Sequence, residues 1–228
     1  MFFHPMDIFV FAAFGLALWA QFKVKSNFKK WSEVQASSGM TGEEVARQML
    51  DNNGLHHVPV EPVRGTLTDH YDPTKKVVRL SEPVYYGKSI ASISVASHEV
   101  GHAIQHKESY GALTLRHKMF PVVNISSGIA PFLLIGGMLF GSLNLVGLGI
   151  IFFSAAVAFQ LITLPVEFNA STRAINQIIS DGIIRNEEER GVKKVLGAAA
   201  LTYVAGALMA LFELIKFSMI FMQGNNEE

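Results

Sequence analysis

Cysteine is absent from the 228 residues, which excludes disulfide staples and thiolate zinc sites and leaves His, Asp and Glu as the strong metal ligands available. Charge is scarce as well: 17% of residues are charged against 50% apolar, and the formal net charge is zero. Such a chain is too apolar for an ordinary soluble domain. It offers no basic excess, so no nucleic-acid partner is expected. Lys and Arg are missing before Lys23, so the apolar N-terminal stretch lacks the positive start of a cleaved signal peptide and reads as an anchor.

What is present in quantity is long apolar runs. Four approach the roughly 20 residues that cross about 30 Å of hydrocarbon. They are Asp7 to Phe22, Pro121 to Ser142, Leu145 to Pro165, and Val195 to Met222. The second and third are separated by Leu143 and Asn144, which predicts a tight helical hairpin. The fourth is interrupted by Glu213 and Lys216 at i, i+3 spacing, which reads as a structural ion pair within the span. Of the 19 basic residues, 13 lie between residues 23 and 120 and 5 between 166 and 197. The positive-inside tendency therefore places both polar segments in the cytoplasm and both termini outside, consistent with an even number of crossings.

This predicts a mainly α membrane protein with four transmembrane helices and a small α+β cytoplasmic domain. The segments are an anchor (1–22), a catalytic domain (23–120), a transmembrane hairpin (121–165), a cytoplasmic helix (166–197), and a last span with its tail (198–228). Within residues 23–120, Thr41 and Glu44 form a capping box for a helix whose apolar face is Val45, Ala46, Met49 and Leu50, ended by Asn53 and Gly54. A Tyr-Asp-Pro turn between β-prone runs predicts a hairpin with strands near 66–71 and 76–80. The stretch "SIASISVASHEVGHAIQHK" is small and apolar on most sides, which suits a helix buried in protein. Reading it as a fifth span would put the two basic groups on opposite sides of the membrane, against the charge rule.

That stretch carries His-Glu-x-x-His. On a helix, His98 and His102 lie one turn apart on one face and can share a metal ion, while Glu99 sits one step round, outside the coordination shell but near its open position. Zinc at such a site brings the pKa of water from about 15.7 toward 7, with Glu99 as the base. His106 shares the face but stands about 12 Å from His98 along the axis, too far for the same ion. A buried Glu99 without a charged partner would cost on the order of several kcal/mol, which a metal site relieves. A third ligand has to come from another element. Glu167 in "LPVEFNASTRA", just past the third span, is on the expected side; its plainer role would be a carboxylate near a helix N-terminus.

The motifs "VRLSEPVY", "SHEVGHAIQH" and "LPVEFNASTRA", spread over nearly the whole chain, resemble those of the YugP-type membrane zinc metallopeptidases of bacteria. The order of motif, two spans and then glutamate also resembles the HtpX and CAAX prenyl protease group of gluzincins, whose third ligand is the glutamate of Glu-x-x-x-Asp. The resemblance implies a zincin-like domain in which His98, His102 and Glu167 hold one zinc and Glu99 is the catalytic base. One position departs: the final Asp is replaced by Ser171, with Asn169 as a candidate substitute.

Such an enzyme hydrolyses peptide bonds. The expected substrate is a peptide or membrane protein, held by main-chain hydrogen bonds along an edge strand formed by Val77, Val78, Arg79 and Leu80. Arg173, Tyr110 and His117 are candidate oxyanion donors. The expected location is the bacterial plasma membrane, multi-pass, with the lipid bilayer as partner and the site on the cytoplasmic side. The same ligands also suit Mn, Co or Ni. The rival reading is a membrane scaffold with an idle metal site, against which the intact Glu99 speaks.

Overall fold

The computed structural model describes residues 4–227; residues 1–3 of the expected anchor and residue 228 of the tail lie outside them. Among the described residues the chain is mainly helical with one small sheet, and four helices are long and apolar enough to cross a membrane: α1 (Asp7–Ser32), α5 (Gly111–Leu139), α6 (Leu143–Ser180) and α7 (Asn186–Glu227). Each extends beyond its apolar run into polar sequence. Thus α1 continues through the basic collar to Ser32, and α6 carries the third apolar run and Glu167 on one uninterrupted helix.

The described chain divides into two units. The first comprises residues up to Trp19, residues 112–165 and residues from 202 onward. Large apolar side chains point outward here, Phe132 at 79% exposure and Phe140 at 82%, as lipid-facing surfaces do. Within the hairpin the turn falls at residues 140–142, with Gly141 at φ +63°, slightly earlier than the expected Leu143 and Asn144. Small residues bring its helices close: a Cβ on Gly137 would stand 2.7 Å from the Val146 backbone nitrogen, and one on Gly149 would meet Leu134 at 2.8 Å. The expected pairing of Glu213 with Lys216 is replaced. Lys216 Nζ reaches Asp7 Oδ1 on α1 at 3.1 Å, because a partner on a neighbouring helix can meet a long side chain where an i+3 neighbour does not.

The second unit, residues 20–111 and 166–201, surrounds α4 (Ile90–Lys107), which follows the short helix α3 (Glu82–Tyr85). α2 (Gly42–Asn52) starts at the expected capping box: the Thr41 hydroxyl accepts from Glu44 N at 3.1 Å, and Thr41 N donates to the Glu44 carboxylate at 2.7 Å. Its face of Val45, Ala46, Met49 and Leu50 is fully buried and packs on α4. The hairpin is β2 (His70–Asp72) against β3 (Val77–Ser81), antiparallel, with the turn held by Asp72 Oδ1 accepting from Thr74 N and Lys75 N. β2 begins later than expected because Gly65 and Leu67 adopt positive φ, +109° and +59°, which breaks an extended run.

A third strand, β1 (Val60–Val63), pairs in parallel with β3 and was not expected. Pro62 argues against a strand, but β1 is an edge, where a residue without an N–H is tolerated. The order β1-β3-β2 corrects the expectation that Val77, Val78, Arg79 and Leu80 form an edge. They lie in the central strand, with both main-chain edges paired and Val77, Val78 and Leu80 buried.

The buried helix α4 satisfies its own polar groups. Ser89 caps its start by accepting from Ser92 N, and the hydroxyls of Ser94 and Ser97 donate back to the Ile90 and Ile93 carbonyls. It meets the polar end of α6 with almost no space between backbones: a Cβ on Gly101 would stand 2.6 Å from the Ala170 carbonyl oxygen. Gly101→Ala is therefore expected to destabilise this unit by about 1–3 kcal/mol through overpacking, read as a lower thermal unfolding midpoint of the detergent-solubilised protein. An unchanged midpoint would show that the two helices separate without cost.

Candidate metal centre

Three candidate ligands converge in the second unit. α4 presents His98 and His102 with ring centroids 4.8 Å apart and planes at 84°, the arrangement that i, i+4 spacing produces. The face of α6 made by Glu167, Ala170, Ala174 and Ile178 is buried, and the close approach at Gly101 and Ala170 brings its glutamate to the imidazoles. Glu167 Oε2 lies 3.3 Å from His98 Nε2 and 3.5 Å from His102 Nε2, and the three side chains are 4%, 14% and 12% exposed. The candidate ligand atoms of the trio all fall within 4.8 Å of one another.

These separations fit a metal. Bonds of 2.0–2.1 Å at tetrahedral angles put ligand atoms about 3.4 Å apart, close to both carboxylate-to-imidazole distances. The donor set, two imidazoles and one carboxylate, is that of a catalytic zinc site with an open position.

The opposite ring nitrogens are also accounted for. His98 Nδ1 lies 3.1 Å from Ser171 Oγ, and His102 Nδ1 lies 3.0 Å from Gln105 Oε1. Gln105 is fully buried, and its amide nitrogen donates to the Val166 carbonyl at 2.8 Å and to Asn169 Oδ1 at 2.9 Å. Asn169 Oδ1 accepts a further bond from Arg173 Nε at 2.7 Å. The network has one consistent direction. Gln105 spends both N–H groups on α6, its oxygen is left to accept from His102 Nδ1–H, and Nε2 of that ring is free to ligate.

The Asp-to-Ser departure thus has a structural answer: the Ser171 hydroxyl still reaches the first histidine, and Asn169 serves the second through Gln105. Sequence reasoning missed Gln105. Its signal was a polar amide one turn after His102 on a helix otherwise small and apolar, where a buried amide has to find partners.

Glu99 is 8% exposed. Burial pushes its carboxyl above the ordinary glutamate range, with the charges of His98 and His102 pulling the other way. Burial also opposes charge on His102, but the hydrogen bond it donates to Glu167 and the negative charges of Glu99 and Glu167 outweigh it, so its pKa is raised.

His106 is not part of this cluster. Its Nδ1 faces the Tyr71 hydroxyl at 2.9 Å, and burial pushes the phenol pKa up to about 12, so the phenol stays protonated. Of the three oxyanion candidates, Arg173 is held by Asn169 and by Glu108 at 2.7 Å. Tyr110 follows α4 and donates its backbone N–H to the Gln105 carbonyl. His117 belongs to the first unit.

Comparison with known proteins finds a matching family model and a curated relative. The family model described as "Putative neutral zinc metallopeptidase" matches residues 6–222. A curated relative, the "Putative membrane protease YugP" of Bacillus subtilis (strain 168), is 73% identical over 223 residues, covering 96% of this chain and 99% of its own. No solved structure matches the chain.

Replacing Gln105 by Leu removes the acceptor for His102 Nδ1 and the donor to the Val166 carbonyl and Asn169 Oδ1. We expect metal affinity to fall by about 10- to 100-fold, measured by competition with a chromogenic chelator. Wild-type affinity in that variant would mean that His102 needs no orienting partner.

Proposed function

Since the chain belongs to this zinc metallopeptidase family, we propose that it is an integral membrane metalloendopeptidase of the gluzincin type, holding one zinc through His98, His102 and Glu167. The observation that carries the reading is the approach of Glu167 to both imidazoles, with the buried Glu99 beside them. When bound, zinc supplies Lewis-acid activation of water and of the scissile carbonyl.

The chain's own residues do the rest. Ser171 and Gln105 fix the two imidazoles with Nε2 inward. Glu99 takes a proton from the attacking water at its carboxylate and delivers it to the leaving amine nitrogen as the peptide bond breaks. Burial of Glu99 suits this exchange, because a carboxylate with a raised pKa takes the water's proton more readily and still holds it when the amine leaves.

Substrate is held in extended form. The free edges of the sheet are β1 and β2, and β2 packs against the histidine helix. Main-chain pairing along β2 would fix the backbone while leaving side-chain choice loose. The substrates are membrane proteins or their cytoplasmic segments, cleaved at the inner face of the bacterial plasma membrane. This orientation is supported by the placement of 18 of the 19 basic residues in the two segments that contain the site.

Glu99→Gln is expected to lower cleavage of a casein-like substrate by about 10²- to 10⁴-fold while zinc, counted by elemental analysis, stays bound. Glu167→Ala is expected to lose both zinc and cleavage, as is wild type treated with a strong chelator. Undiminished cleavage in Glu99→Gln would overturn the mechanism, and full zinc occupancy in Glu167→Ala would overturn the ligand set.

A further inference from the structure

A second concave site lies within the same unit, built from different residues. A cleft of about 430 Å³ is lined by Lys23, Asn27, Lys30 and Trp31 of α1 and by Arg190 and Lys194 of α7. Four of these six are cations and none is acidic. The α1 residues follow i, i+4, i+7, i+8 spacing and the α7 pair i, i+4, so each helix turns one continuous face to the cleft.

The cleft is held in shape by the indole. The ring of Trp31 lies against Gly191, where a Cβ would stand 2.7 Å from it, and Lys30 Nζ sits 5.6 Å from the ring centroid. Trp31 Nε1–H is buried yet makes no hydrogen bond among the described residues. A buried donor without an acceptor is unusual in a folded protein and marks a place for one. Two nearby carboxylates are engaged elsewhere. Glu189 pairs with Lys193 at 2.6 Å, and Glu188 accepts from the Ser37 backbone and hydroxyl.

We infer that this cleft binds the phosphate of an anionic phospholipid headgroup from the cytoplasmic leaflet. Phosphate offers several acceptor oxygens and negative charge, matching the ammonium, guanidinium and amide groups that line the site. Position along the chain selects lipid over a free anion. Lys23 directly follows the apolar run Asp7 to Phe22, and Lys194 directly precedes the run Val195 to Met222. The cations therefore stand where two hydrophobic segments give way to polar sequence, the level at which long basic side chains meet headgroups. The inference rests on the proposed reading only for its membrane orientation, and no residue of the candidate metal centre takes part.

The test uses the full-length protein in neutral detergent, titrated with phosphatidylglycerol or phosphatidylcholine, with retained lipid counted by native mass spectrometry. Phosphatidylglycerol is expected to bind at least about tenfold more tightly. Lys30→Gln combined with Arg190→Gln should weaken it by about thirtyfold, from the worth of two basic residues at a charged surface. The charge-preserving pair Lys30→Arg and Arg190→Lys should retain it, as should Lys193→Gln. Equal binding of the two lipids by wild type would overturn the inference, and this comparison requires no variant to fold. So would undiminished phosphatidylglycerol binding by the double glutamine variant. Displacement of the lipid by millimolar inorganic phosphate would assign the cleft to a free anion, and displacement by an acidic peptide alone would assign it to a protein partner.

Discussion

The contact on which the candidate metal centre depends is the meeting of two helix backbones at Gly101 and Ala170. His98 and His102 are set by their own helix. Glu167, 65 residues beyond His102 in the chain, can join them only if α6 comes close enough for a short carboxylate to reach. Glycine on one helix and alanine on the other allow that approach. The buried face of Ala170, Ala174 and Ile178 then supplies the apolar contact that holds it. Larger residues at the crossing would move the carboxylate outward by the thickness of a side chain, more than metal coordination tolerates.

Polar bonds add direction to this contact. An imidazole on a packed helix can still rotate, and either ring nitrogen can face inward. Ser171 and Gln105 remove that choice, one from each side of the interface. Gln105 joins the two helices as well: it receives from His102 on α4 and donates to Val166 and Asn169 on α6. A fully buried amide with all of these bonds made is a rigid strut, whereas one with any left unmade would penalise the interface. The packing that delivers Glu167 is thus also the packing that orients His102.

Much of this was legible from local pattern. The apolar runs marked the four long helices because span length is a property of contiguous sequence. The capping box of α2 and the Asp72 turn were readable because their partners lie within a few residues of each other. The sheet was legible only in part. The hairpin was expected, but β1 was hidden by Pro62, and without β1 the strand Val77–Ser81 looked like an edge. Lys216 was misassigned for a related reason: its nearest acid in sequence is Glu213, yet the partner it reaches is Asp7, 209 residues away.

The sequence by itself determined the chemistry on offer: histidines four apart on a helix, a glutamate between them, no thiol to compete, and a carboxylate just beyond an apolar run. Spacing along one helix is fixed by covalent geometry and needs no fold. Tertiary structure decided which distant groups meet. It brought Glu167 to within 3.5 Å of both imidazoles, gave Ser171 and Gln105 the ring nitrogens, buried β3 between two neighbours, and set Trp31 on Gly191 beneath a row of cations. Those outcomes depend on how closely two backbones can pack, which is a joint property of both surfaces and is written in neither segment alone.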